Sequence, residues 1–419
     1  MSSFGVGIDF GTTNSAVAVA DGAGARLLPL PGPAGALGNT WRTILYFESG
    51  DGVNEVEVSA GGRAIERYAQ TEGQGRLVQS IKSHLASELF SATHVLGRRY
   101  RIEDLVATFL RQLRAAVPVD LGRRAVVGRP VRYWGARDKA DEDRALDRMR
   151  TALGLAGFEE IVFEYEPVAA ANRYAARLGG DELVLIADFG GGTSDFSLMR
   201  IGADKVPLVI GTSGVAVAGD SFDARIIDRV VAPALGQGTH YAAEFDRRMP
   251  VPPWLFTNLR RWHHLSFLRA KDTTALLQKI LRGATAPAKI QKLISVVEDE
   301  LGLPLHQSVE ATKRALSTAE QSPFLFDQQE VGISSSVLRT ELDVWIAEEV
   351  AAIDAAVDEV LVTAGVQATA VDRVFTTGGS SLVPAVQRIL ARRFGADRLV
   401  GGEELTSVAW GLAISAARL

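Results

Sequence analysis

The 419-residue chain contains no cysteine, which excludes disulfides, iron–sulfur clusters, thiolate zinc sites and cysteine nucleophiles together. That is compatible with a reducing cytoplasm, where disulfides rarely persist. Long apolar runs are missing as well: none approaches the roughly 20 residues a membrane helix needs, and no basic-then-apolar segment opens the chain. Neither sign of charge dominates, since 45 Lys and Arg against 50 Asp and Glu give 45 − 50 = −5. Such a balance gives no footing for a nucleic-acid footprint spread over the surface. A cytoplasmic protein is expected, with neither membrane nor nucleic acid as partner. The length predicts two or three domains, and 47% hydrophobic with 23% charged residues is ordinary for a globular chain.

Common nucleotide signatures are absent too. There is no Gly-x4-Gly-Lys-Ser/Thr loop, no Gly-x-Gly-x-x-Gly between a strand and a helix, and no His-Arg-Asp element of a protein kinase.

What is present is a repeated unit. Phe4 to Ile8 reads as a short strand, followed by Asp9-Phe10-Gly11-Thr12-Thr13-Asn14-Ser15 and a second strand from Ala16 to Ala20. Arg26 to Leu30 is expected to add a third. Further on, Leu183 to Ala187 leads into Asp188-Phe189-Gly190-Gly191-Gly192-Thr193-Ser194-Asp195 and an apolar stretch from Phe196 to Ile201. An internal duplication of one strand–turn–strand unit is the plainest reading.

Between the copies the period changes. Leu105, Val106, Phe109, Leu110 and Leu113 mark an amphipathic helix. Ser221 is expected to cap a helix carrying Phe222, Ile226, Ile227 and Val230. Leu342, Trp345, Ile346, Ile353, Val357 and Leu361 predict one long helix ending near Gly365. Arg124 to Val127 and Val371 to Phe375 read as buried strands, and Val408 to Ala417 as a helix. The alternation predicts an α/β chain of two similar domains around a cleft. From about Leu235 to Leu305 the pattern departs, with Pro250, Pro252 and Pro253 preceding helical spacing at Leu255, Leu259 and Trp262. A mostly helical insertion is expected there.

Each Gly-rich turn has the chemistry of a phosphate site. Glycine lets backbone N–H groups close on phosphate without a Cβ in the way, and threonine adds a hydroxyl donor. The aspartate repels phosphate unless a divalent cation lies between them, and Mg²⁺ suits one or two carboxylates while keeping its waters. Two such turns facing each other would grip a polyphosphate from both sides. The plainer alternative for either copy alone is an ordinary hairpin.

At this point the chain resembles a known family. Gly7 to Ser15 is similar to the first phosphate motif of the 70-kilodalton heat-shock chaperones of the DnaK type, and Asp188 to Asp195 to the second. Glu166-Pro167-Val168-Ala169-Ala170-Ala171 resembles the connecting motif, and Gly378-Gly379-Ser380-Ser381-Leu382-Val383-Pro384 the adenosine motif. Glu310, Lys313, Arg314 and Ser317 resemble the adenine-clamping helix. The resemblance implies an actin-like ATPase fold, two ribonuclease-H-like lobes around a nucleotide cleft. Lobe I would span 1–177 and be completed by 400–419. Lobe II would span 178–399, with the inserted subdomain at about 235–310.

The same resemblance implies the site. Asp9 and Asp188 would hold Mg²⁺ through water. Gly11, Thr12, Thr13 and Asn14 would line the phosphates of ATP or ADP from one lobe, and Gly190, Gly191, Gly192 and Thr193 from the other. Glu166 would orient or deprotonate the attacking water with Asp195 assisting, and Gly219 would approach the phosphates. Gly378, Gly379 and Ser380 would pack on the nucleoside, while Glu310, Lys313, Arg314 and Ser317 would reach ribose and adenine. For that last set, taken alone, a solvated helix face is the plainer reading.

Two departures matter. The family carries a lysine near the γ-phosphate, and Gly62-Arg63-Ala64-Ile65-Glu66-Arg67 seats Glu66 there, leaving Arg63 or Arg67 as substitutes. Leu382 replaces an arginine that stacks on adenine. The chain also shows no β-sandwich peptide-binding domain, which places the resemblance with the stand-alone YegD-like branch. A slowly ATP-hydrolysing chaperone-like protein is expected, with a protein client or co-chaperone as partner. A non-hydrolysing nucleotide sensor or reactivating factor and a small-molecule kinase on the same fold are the alternatives. His263 and His264 are adjacent and poorly placed to share a metal. Leu255, Leu259, Trp262 and Phe267 read as subdomain core. Pro130 reads either as a strand terminator or as the family's interlobe proline.

Overall fold

The computed structural model describes residues 4–22, 24–32, 35–50, 52, 55–71, 75–175, 180–202, 207–243, 247–260, 268–401 and 406–419. By contacts the chain divides into one unit of Met1–Gly219 with Val350–Leu419 and a second of Asp220–Glu349.

Two sheets with one topology organise the first unit. In the first, Gly5–Asp9 pairs antiparallel with Asn14–Asp21, which pairs antiparallel with Gly24–Leu27. On its other side Gly5–Asp9 runs parallel to Arg124–Arg129, and that strand parallel to Glu160–Tyr165. In the second sheet Glu182–Phe189 pairs antiparallel with Ser194–Ile201, and that strand with Leu208–Val215. Glu182–Phe189 also runs parallel to Arg373–Thr377, which runs parallel to Leu399–Val400. The duplication read from the turns therefore extends to five matching strands, with Trp41–Arg42 added to the first sheet as a sixth. The expected third strand shifts, because pairing ends at Leu27 and Leu30–Pro31 joins a separate small ladder.

Burial follows composition. Val184, Leu185 and Ile186 are consecutive buried residues, the continuous apolar run of a strand covered on both faces. Helix Ser407–Arg418 packs on Gly5–Asp9, on Asn14–Asp21 and on helix Glu166–Ala175. A Cβ on Gly411 would overlap the Ala169 carbonyl, so the two helices touch backbone to backbone. Helix Glu166–Ala175 meets strands of both sheets, and Ala169, Ala170 and Ala171 share one core with Val126, Ile186 and Leu412. Its first residue is thereby placed where the two sheets adjoin.

Two helix readings are corrected. Ser221 does not cap: the helix begins at Gly219, putting Ser221 inside the first turn. The single long helix is two, Arg339–Trp345 and Ala347–Ala364, because Ile346 leaves helical geometry at φ −96° and ψ 10°. The burial of Ile346 explains the break, since the kink turns a large apolar side chain into the core.

The second unit carries helices Pro253–Thr257, Lys271–Gly283, Pro287–Glu298 and Gly302–Leu316. Hairpins His240–Ala242/Arg248–Pro250 and Gln321–Gln328/Val331–Leu338 accompany them. Leu255 and Leu259 are fully buried, whereas Trp262, His263, His264 and Phe267 lie outside the described residues. Among the described residues no helix is long and apolar enough to cross a membrane.

Candidate functional site

The carboxyl ends of the parallel strands gather the chemistry, the place where open α/β sheets bind ligands. Asp9 closes its strand, Glu166 follows strand Glu160–Tyr165, and Asp188 stands next to last in its own strand. Asp188 lies directly across the ladder from Asp195, while the matching partner of Asp9 is Ala16. The duplicated unit is thus unequal, with one acid on one side and two on the other.

The two turns meet. A Cβ built on Gly192 would lie 3.8 Å from Trp134 Cδ1 and 3.9 Å from both Ser83 Oγ and Thr12 Oγ1. Thr12 of the first turn therefore faces Gly192 of the second across a gap about one methyl group wide. Gly190 N donates to Thr193 O at 2.9 Å and closes the second turn. In the first turn a Cβ on Gly11 would overlap the Asn14 carbonyl oxygen, so only glycine fits. Thr13 offers its carbonyl to Thr43 N at 2.9 Å, which ties that turn to the link between strands Trp41–Arg42 and Ile44–Ser49.

The central ion pair is one the sequence reading missed. Lys82 Nζ donates to Glu166 Oε1 at 2.6 Å, with both residues buried. The lysine sits on the short helical turn Ile81–His84, entered through Ser80 in the left-handed region at φ 53°. The expectation that Glu66 replaces the lysine is therefore corrected. Glu66 belongs to helix Gly61–Gln70, Arg63 is exposed, and Arg67 is committed to Glu48 through two bonds of 2.7 Å. The family resemblance alone set the lysine's position on helix Gly61–Gln70, ahead of the turn that carries Lys82. Lys82 lies in a four-residue turn too short for any periodicity.

Electrostatics couple the members of the cluster. Burial, with the negative charge of Glu166 added, pushes the Asp9 carboxyl up to about 7 against the pull of Lys82. Burial and Glu166 likewise push Asp195 up to about 7, although a Thr193 hydrogen bond and the Arg132 backbone amide oppose them. Asp188 is raised well above the carboxylate range by burial first, then by Glu166, Asp195 and Asp9. Burial draws Lys82 down, but Glu166 and Asp9 outweigh it and leave the ammonium raised. Four carboxylates against one lysine make a pocket that is short of positive charge.

Asp195 is also anchored. Its Oδ1 accepts Val131 N at 2.9 Å and Arg132 N at 3.3 Å. These amides directly follow Pro130, which ends strand Arg124–Arg129. The position of Pro130 directly after Arg129 agrees with the strand-terminator reading. Gly128 leaves room for Glu166, since a Cβ there would come within 3.1 Å of Glu166 Cγ.

The Gly378 to Ser381 segment abuts the second turn. Ser380 Oγ donates to Gly190 O at 3.4 Å, and Gly378, at φ 81°, would overlap Phe189 O if it carried a Cβ. Gly379 is exposed and Leu382 is 43% exposed, free to face a planar group. Gly219 opens helix Gly219–Ile226 at the end of the first unit.

The residues expected to reach ribose and adenine belong to the second unit. Glu310, Lys313 and Arg314 lie on helix Gly302–Leu316, with Ser317 at its end. Lys313 Nζ bonds Asp223 Oδ2 at 2.9 Å with both side chains largely buried, so this is no merely solvated face. Glu310 and Arg314 form an i,i+4 pair at 3.8 Å.

Among the described residues no three His, Asp or Glu side chains come close enough to hold a metal ion directly. The clustered acids Asp9 and Asp188, with a single lysine against four carboxylates, have donor chemistry that would suit a hydrated divalent cation.

Residues 56–240 and 278–419 match the family described as Hsp70 protein. Members of that family are ATPases with the actin-like fold, and they use ATP or ADP with Mg²⁺. The paired sheets with one topology are the form of that fold in this chain. Its turns, its charge cluster and the match across most of its length lead to one conclusion: the chain belongs to the Hsp70 family of nucleotide-binding, chaperone-like ATPases.

Proposed function

We propose that this chain hydrolyses ATP slowly, by attack of water on the γ-phosphate, and uses the change from ATP to ADP to alter its lobes and regulate a protein partner. The observation that carries this reading is the Lys82–Glu166 pair at 2.6 Å beside Asp9, Asp188 and Asp195. A carboxylate held next to an ammonium can orient a water and take its proton. The lysine can then stabilise charge on the transferred phosphoryl group.

Asp9 and Asp188 would hold Mg²⁺ through water, and the cation would neutralise charge on the phosphate oxygens. Thr12, Thr13 and Asn14 would bind the phosphates from one turn, and Gly190, Gly191, Gly192 and Thr193 from the other. Asp195, fixed by two backbone amides, would orient the same water. Gly378, Gly379 and Ser380 would pack on the nucleoside, a reading supported by the contacts of Gly378 and Ser380 with the second turn. Glu310, Lys313, Arg314 and Ser317 are assigned to ribose and adenine by motif alone. The partner is a client or co-chaperone in the cytoplasm, in the manner of the YegD-like branch. A non-hydrolysing sensor loses its main support, because that alternative rested on the phosphate-side lysine being replaced by Glu66.

The test is single-turnover ATP hydrolysis by the protein with Mg²⁺, beside Glu166→Gln and a calorimetric binding curve. Phosphate release that Glu166→Gln loses while still binding ATP supports the proposal. Binding without release in either protein would return the sensor, and no binding would end the nucleotide assignment.

A further inference from the structure

Lys82 rides on a four-residue turn, and a turn that short does not hold itself in place. The carbonyls at its end and just beyond have no partners within the turn itself, and the local backbone supplies only Ser87 N, which donates to His84 O at 3.1 Å. In this protein helix Lys139–Leu155 supplies the partners from one face. Arg148 Nη1 donates to His84 O at 3.2 Å, Leu85 O at 2.9 Å and Ser87 O at 2.8 Å. Arg144, one turn earlier on the helix, donates to Ala86 O at 2.8 Å and is itself braced by Asp141. Four consecutive carbonyls, 84 to 87, are thereby gathered by two guanidinium groups.

Arg148 is buried, with Glu103 as its nearest carboxylate at 3.8 Å. A buried cation is costly unless it is well satisfied. Its main satisfaction here is backbone carbonyls, the arrangement expected when a charge is spent on fixing a loop. The fixed loop presents Lys82 to Glu166 and places the Ser83 hydroxyl beside Gly192, which Thr12 also approaches. A lysine on a flexible stem is accurate only if its backbone is immobile.

We infer that Arg148 is a positioning residue for Lys82, holding the Ile81–Ser87 segment so that the ammonium meets Glu166 at the phosphate turns. Its effect on rate rests on the hydrolysis proposed above, whereas its effect on Lys82 itself does not. Arg144 supports the same segment at a single carbonyl.

The test uses the whole protein, wild type and Arg148→Gly, with two readouts. One is the rate at which a small amine-reactive ester labels Lys82, followed by peptide mapping. The other is single-turnover ATP hydrolysis with calorimetric nucleotide affinity. Lys82 is expected to label at least ~10-fold faster in Arg148→Gly, and hydrolysis to fall by ~100-fold with affinity changed less than ~3-fold. Non-denaturing guanidinium chloride should slow the labelling again and restore turnover, whereas sodium chloride at equal ionic strength should do neither. If Arg148→Gly fails to fold, Arg148→Lys replaces it, since a lysine keeps the charge but cannot span three carbonyls. A folded variant in which Lys82 labels at the wild-type rate overturns the inference. Faster labelling in a protein whose wild type hydrolyses no ATP supports the role of Arg148 and rejects the proposed hydrolysis.

Discussion

Lys82 Nζ and Glu166 Oε1 stand 2.6 Å apart although 84 positions separate them in sequence. One comes from a short turn after an edge strand of a three-stranded sheet, the other from the first residue of a helix shared by both main sheets. Removing either partner has two separable consequences. Lys82→Met strands a buried carboxylate among three others, and a broken buried pair typically costs about 3–5 kcal/mol. It should also slow hydrolysis by ~10²–10³ through loss of charge stabilisation on the phosphoryl group. Denaturant melts and single-turnover rates for Lys82→Met, Glu166→Gln and the double variant would separate the two. The double variant should recover stability but not rate.

The two turn glycines should respond oppositely to the same methyl group. Gly192→Ala meets nothing nearer than 3.8 Å, so the fold should hold with thermal stability close to wild type. The methyl nevertheless fills the gap toward Thr12 and Ser83, and ATP affinity should fall by ~10-fold or more if phosphate sits there. Gly11→Ala would overlap the Asn14 carbonyl and should cost about 1–3 kcal/mol of stability before any ligand is added. Thermal melts and ATP calorimetry on the pair would check both halves.

Stability without nucleotide or metal should fall as pH rises from about 4 to about 7. Asp9 and Asp195 each move from 3.8 to about 7 on folding. Between those values the native state binds more protons than the unfolded chain. Raising the pH strips protons from the native form at a cost, so the unfolding free energy decreases through that window and levels off above it. Urea melts in a metal chelator at successive pH values would measure the slope. A flat profile, or one rising with pH between 4 and 7 in wild type but not in Asp9→Asn, would contradict the assigned shifts.

At Gly411 no side chain fits, because its Cβ would overlap Ala169 O where the two helices touch. Gly411→Ala should therefore destabilise by about 1–3 kcal/mol, against the usual gain from replacing a helical glycine. Gly154→Ala, on an open helix face, supplies the control and should be neutral or stabilising. Melting temperatures of the two variants would decide it.

Much of the site was legible in the sequence because its turns are local objects. Asp-Phe-Gly with threonine or glycine following states a tight turn, its leading acid and its hydroxyls within a few residues. The strands on either side carry unbroken apolar runs that announce burial. Glu166 was legible through its motif. Less local features were not. The break at Ile346 interrupts a pattern whose period was correct on both sides, because the core takes up the Ile346 side chain there. Ser221 had the right chemistry for a cap, but the chain enters its helix two residues earlier at Gly219.

The sequence by itself determined the duplicated turns, the acids that lead into them, the strand and helix types, and the family. Each depends on residues that are neighbours along the chain. Only the tertiary structure decided that Lys82, not Glu66, stands among the acids. It also brought Trp134 and Ser83 to Gly192 and set Arg148 behind the lysine's loop. Neither the period nor the propensity of a four-residue turn says what lies opposite it. That is settled by where two sheets and a separate helix come to rest, and by a buried ammonium whose charge is satisfied there by a carboxylate.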